Sequence, residues 1–236
     1  MASAMVPAPA STMLSAAGVV ILAALMLAPP AAATPWWVAW EGDDFPENEG
    51  WTRTVAGQPS QRTLEDGVMT LDSLGTTGGW DGYQLMRSGG RDPGPGETFV
   101  LRWRMRVEAV EGWAWDPGLG VLSDSAWYVS FLFSIDRIWS PYEYVILSFA
   151  PGVFHAWELR SSDMRNYELY LDGALIRQGY LVRSVDPAWV ASWGDSVLGP
   201  RSRSSWDYVH LGVVPECSTS GLVAVLGLMA ARVRRL

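Results

Sequence analysis

The chain has 236 residues, with 14 Trp, 17 Arg and a single Cys. Its 25 acids give a net charge of −8, which argues against a general nucleic-acid binder. One Cys excludes an intrachain disulfide and a Cys-rich zinc site. The first element is Leu14–Leu27, LSAAGVVILAALML, an apolar run of signal-peptide length, too short for a comfortable membrane span. Pro29 and Pro30 break the chain just after it, and Ala31 and Ala33 fit an A-x-A cleavage site. Residues 1–33 are therefore expected to be a signal peptide, and the mature chain to start near Thr34.

The stretch 34–213 shows period-2 patterning and no sustained helical period. Thr98–Val107 (TFVLRWRMRV) alternates most cleanly, with Phe99, Leu101, Trp103, Met105 and Val107 on one face and Arg102, Arg104 and Arg106 on the other. Further strands are expected at Gly67–Asp72, Tyr83–Met86, Trp127–Asp136, Tyr142–Phe149, Phe154–Arg160, Tyr167–Leu171, Leu175–Gln178 and Trp206–Val213. Asp172-Gly173 between two of these is a hairpin signal. The predicted architecture is all-β, an antiparallel two-sheet jelly-roll sandwich. Its flanks are an N-terminal signal helix and a C-terminal short hydrophobic helix. The last segment, 214–236, holds Val214-Pro215-Glu216-Cys217, the apolar run Gly221–Ala231 and the basic end Arg232, Arg234 and Arg235. A short apolar helix ending in Arg suits a transient inner-membrane stop with a cytoplasmic positive end. Removing that basic end leaves 14 Arg against 25 acids, a charge of −11.

This tail resembles the PEP-CTERM sorting signal of Gram-negative bacteria, with Cys217 where the family has its second Pro. The resemblance implies export, recognition by an exosortase-type membrane protease, removal of the tail, and delivery to the cell surface or extracellular matrix. The middle of the chain resembles the concanavalin A-like jelly roll of lectins, laminin-G modules and glucanases. The residues carrying it are Asp43-Asp44-Phe45 with Trp51, Asp66–Asp72, Phe154-His155-Ala156-Trp157 with Asn166–Gly173, and Trp206–Val209.

The E-x-D-x-x-E strand of the glucanases is absent; the nearest string, Glu41-Gly42-Asp43-Asp44-Phe45-Pro46, ends in Pro. Two carboxylates from different strands, Glu143 and Glu168 for example, could still form a non-standard glycan-cleaving pair. There is no G-x-S-x-G, no His pair at zinc spacing and no phosphate loop opening a helix. Five acids in Glu41–Glu49 would suit calcium, with Asp43 or Asp44 sharing an ion with Asp207. The alternative is a solvated acidic loop.

The aromatic residues are the better clue, because sugars stack their C–H faces on Trp and Tyr. Trp113, Trp115, Trp139 and Trp193 are read as loop residues, candidates for a glycan site with Arg102, Arg104 and Glu143. Trp103, Trp127, Trp157 and Trp206 are read as core. The Arg face could grip an acidic polysaccharide or pair with Glu143, Glu158 or Glu168 on neighbouring strands. The favoured reading is a non-catalytic domain that binds a polysaccharide or matrix glycan. A glycan-cleaving enzyme and a purely structural matrix component are the alternatives.

Overall fold

The alternation in residues 98–107 places five apolar side chains on one side of an extended chain, and only a second apolar layer can cover them. The computed structural model describes residues 36–76, 79–86, 91–111, 115–123, 125–184, 190–195 and 201–216. They form sixteen strands and one short 3-10 turn, Pro46–Glu49. In chain order the strands are β1 (Trp36–Trp40), β2 (Thr52–Gly57), β3 (Gln61–Glu65), β4 (Val68–Asp72), β5 (Gly79–Met86), β6 (Glu97–Glu111), β7 (Gly118–Leu122) and β8 (Trp127–Phe133). Then come β9 (Arg137–Ser140), β10 (Val145–Ser148), β11 (His155–Ser161), β12 (Asn166–Leu171), β13 (Ala174–Tyr180), β14 (Val182–Arg183), β15 (Val190–Asp195) and β16 (Arg201–Pro215).

The strands make two eight-stranded antiparallel sheets. Sheet A runs β13-β12-β11-β6-β16-β4-β3, with β1 also paired to β16. Sheet B runs β10-β9-β8-β7-β15-β5-β2, with β14 added to β8. The centre of sheet A is the long pairing of β6 with β16, held from Arg201↔Glu111 to Pro215↔Glu97 with two bulges. Inward residues of both sheets meet in one core, with two aromatic clusters. In the first, the Trp193 ring contacts Trp40, Trp51, Tyr83 and Trp206, with centroids 4.8–5.8 Å away. In the second, Trp103 stacks on Trp157 at 6.0 Å, and Phe131 and Phe133 lie against Trp103.

The all-β, two-sheet sandwich is as the sequence predicts, and every expected strand overlaps an observed one. Tyr142–Phe149 gives only the short β10, because residues 141–144 form a turn with Tyr144 at a φ of 54°. Strand β16 runs two residues past Val213, to Pro215. Val214 pairs with Thr98 and Pro215 with Glu97, the Glu216 N–H donates to Gly96 O, and the Thr98 hydroxyl donates to Glu216. The apolar run Leu14–Leu27 with the rest of residues 1–33, Cys217, and the tail through Arg232, Arg234 and Arg235 lie outside the described residues. Among the described residues, no helix is long and apolar enough to cross a membrane.

Candidate functional site

The expected Trp set divides. Trp193 is not a loop residue. It sits in β15, is 2% exposed and forms the hub of the first aromatic cluster, so it cannot stack on a ligand. Its neighbours explain the placement: Ala191, Trp193 and Asp195 alternate inward, all buried. Trp139 also lies on a strand, β9, but points outward between the buried Ile138 and Ser140. Trp115 packs on Trp139 with ring centroids 5.5 Å apart, and the Arg137 guanidinium lies 5.6 Å from the Trp115 ring. Trp113 lies outside the described residues. Of the expected core set, Trp103, Trp157 and Trp206 are buried and Trp127 is half-buried.

The Arg face of β6 is paired. Arg102 bonds Glu158, its cross-strand partner on β11, and Arg160 bonds the other oxygen of the same carboxylate. Arg104 bonds Asp207, which occupies the bulge of β16 between Trp206 and Tyr208. Arg106 bonds Glu108 at 2.6 Å, and the Phe154 ring lies under both Arg104 and Arg106. Of the acids offered as partners for this face, Glu158 takes Arg102; Arg104 goes to Asp207 and Arg106 to Glu108 of its own strand.

The acidic sites also resolve. Glu143, 1% exposed at its side chain, accepts from the Tyr167 hydroxyl, from Arg177 at 3.3 Å and from the Tyr180 N–H at 3.1 Å. Burial first, and then this carboxylate, push the Tyr167 phenol well above its ordinary value. Glu168 is the next residue along β12, where successive side chains take opposite faces, and it bonds Tyr170 and Gln178. Glu143 and Glu168 therefore do not converge, and Glu143 is not exposed for a sugar. Asp43 and Asp44 are exposed, the Asp44 carboxylate caps the Phe45 N–H at 2.7 Å, and Asp207 is held by Arg104. Among the described residues, no group of three or more His, Cys, Asp or Glu is placed to hold a metal ion.

The outward face of sheet B carries a feature that the sequence reading missed. A trough of about 310 Å³ crosses β5, β15, β7 and β8. The strand register explains it. Gly82, Gly194 and Gly118 stand side by side in one row, and Gln84, Ser192, Gly120 and Ser130 in the next. Gly82 and Gly194 mark a close backbone approach: a Cβ on Gly82 would lie 2.7 Å from the Trp193 carbonyl oxygen, and one on Gly194 2.6 Å from the Gly82 Cα. Two aromatic rings flank the row. A Cβ on Gly82 would meet the Trp80 indole at 3.2 Å, and one on Gly120 would meet the Tyr128 hydroxyl at 3.0 Å. Each ring thus lies against a glycine. Burial raises the Tyr128 phenol, so its hydroxyl stays protonated and able to donate. Gln84, Ser130 and Ser192 add uncharged hydrogen-bonding groups. The trough lining contains no carboxylate.

No family model matches the chain, and no curated protein matches it. Solved structures do. A conserved carbohydrate esterase from a Shiga toxin-encoding bacteriophage, phi24B, superposes with a TM-score of 0.57 at 11% identity, over 78% of this chain and 100% of that one. A protein of unknown function from Shewanella oneidensis gives 0.50 at 8% identity, over 89% and 98% of the two chains. A sialidase gives 0.50 at 10% identity, over 79% of this chain and 19% of the sialidase. At such identities the likeness is one of fold alone, an antiparallel two-sheet β-sandwich.

Proposed function

We propose that this protein is an exported, non-catalytic glycan-binding domain whose ligand lies in the sheet B trough. The observation that carries this reading is a cleft bordered by Trp80 and Tyr128, edged by Gln84, Ser130 and Ser192, and lined by no acid. Glycosidic cleavage calls for two carboxylates about 5–10 Å apart across a cleft, and this lining supplies neither. A filled or flat face would favour a structural role instead. The aromatic rings give apolar area, while the amide and hydroxyls fix orientation.

Export and sorting belong to the same proposal. The apolar run Leu14–Leu27 and the tail from Val214 to Leu236 support a route through the inner membrane, processing by an exosortase-type protease, and delivery to the surface or matrix of a Gram-negative cell. The binding test is a glycan array on residues 34–216, with and without calcium. Retention of at least one glycan, lost in a Trp80→Ala variant, is expected; no retention on any glycan refutes the reading. The sorting test replaces Arg232, Arg234 and Arg235 and follows the tail. Unchanged processing and surface delivery would remove the sorting role.

A further inference from the structure

The glycine row does not end at the trough. Gly118 registers with Leu132 on β8, Leu132 with Trp139 on β9, and Trp139 with Ile146 on the edge strand β10. All point to the outward side, because the residues flanking Leu132 and Trp139 are buried in the core. One straight row thus leads from Gly82 to Trp139 over four strand spacings, about 19 Å at the usual ~4.8 Å per strand. The far end carries a second aromatic platform, Trp115 against Trp139, with Arg137 beside it.

The charge on this face is equally telling. Along β2, β5, β15, β7 and β8, the described residues that point outward are uncharged; the first charged one is Arg137 on β9. The corresponding face of sheet A carries Arg102, Arg104, Arg106 and Arg160 with their acids. The chain as a whole is 18% charged. A bare neutral strip across five strands offers nothing to uronates or sulfates, and nothing to offset their desolvation.

Building on the glycan reading above, we propose that the ligand is a linear, uncharged polysaccharide lying perpendicular to the strands. Trp80 and the glycine floor hold one stretch of it, and Trp139 with Trp115 hold a second stretch further along the same chain. A single sugar fills only the trough. A long chain reaches both platforms, so affinity grows with chain length.

The test measures binding of residues 34–216 to neutral linear oligosaccharides, from disaccharide to octasaccharide, of glucan, mannan and xylan type. Alginate and polygalacturonate serve as acidic probes. Affinity for the neutral series should climb with length and then level off, and the acidic polymers should bind at least about tenfold more weakly. Trp139→Ala should remove about tenfold from the octasaccharide and leave the shortest binders unchanged, one lost ring face being of that size. Trp115→Ala, outside the strand, should do the same if Trp139→Ala disturbs β9. Trp80→Ala should weaken every length. Equal binding of short and long chains, or preferred binding of the acidic polymers, overturns the two-platform proposal while leaving the trough as a glycan site. Failure of every carbohydrate to bind overturns the glycan reading itself, and this proposal with it.

Discussion

Replacing Trp193 separates the two roles this residue could have. In a loop, Trp193→Ala would weaken ligand binding and leave the fold intact. In the structure its ring is 2% exposed and touches four aromatic side chains from four separate segments. Truncating a fully buried Trp costs about 3–5 kcal/mol. Each aromatic contact adds about 0.5–1.5 kcal/mol beyond area, and three of the four neighbours, Trp40, Tyr83 and Trp206, are fixed in strands and cannot close the hole. The upper end of the range, about 5 kcal/mol, is therefore expected, a large share of the roughly 5–15 kcal/mol typical of a whole domain. With a urea m-value of about 2 kcal/mol/M, the unfolding midpoint should fall by about 2.5 M. The assay is urea denaturation followed by Trp fluorescence and near-UV circular dichroism. An unchanged midpoint with glycan binding lost would show that Trp193 faces ligand and refute the packing argument.

Trp80→Ala should instead weaken glycan binding by about tenfold while moving the urea midpoint little, because that ring borders solvent; paired titrations of binding and stability check this. Asp81→Ala should cost about 3 kcal/mol in urea, since Asp81 is 2% exposed and takes two bonds from Arg53, at 2.8 and 2.6 Å, and one from the Ser60 N–H at 2.8 Å. Asp81→Asn, which keeps one acceptor, should cost less. The pH dependence has a definite sign at His210. Burial holds this imidazole below its ordinary value of 6.5, against the opposing pull of Glu41 at 2.9 Å. The folded state therefore binds fewer protons there than the unfolded chain, and the contribution is complete above pH 6.5 and lost as pH falls below it. Denaturation curves of His210→Gln should fall less steeply on the acid side than those of the parent; identical slopes would remove His210 from the titration.

Much of the sandwich was legible because inward and outward positions alternate strictly where a strand is half-buried. Residues 98–107 gave both the core side of β6 and the Arg side, while the choice of Glu158 among Glu143, Glu158 and Glu168 as the partner of Arg102 came from the strand register. The trough was not legible, and the reason is physical. Gly82, Gly118, Gly120 and Gly194 carry no periodicity signal of their own, yet they sit in strands. A glycine inside a strand marks a close approach or an open floor, and only register shows that three of these stand in one row. Trp193 was misplaced for the same reason: Gly194 beside it suggested a loop, whereas it continues a central strand. The Asp207 site failed differently. A bulge turns that carboxylate onto Arg104, and bulges leave no signature in alternation.

The most direct measurement of the central claim is a titration of the isotope-labelled domain, residues 34–216, with a neutral linear oligosaccharide, following backbone amide and Trp indole N–H signals by NMR. The account predicts shifts at Gly82, Gly118, Gly120, Gly194 and Ser192 and at the indoles of Trp80 and Trp139, with Trp103, Trp157 and Trp193 unmoved. Shifts gathered on the Arg102–Glu158 face of sheet A, with the glycine row silent, would contradict it.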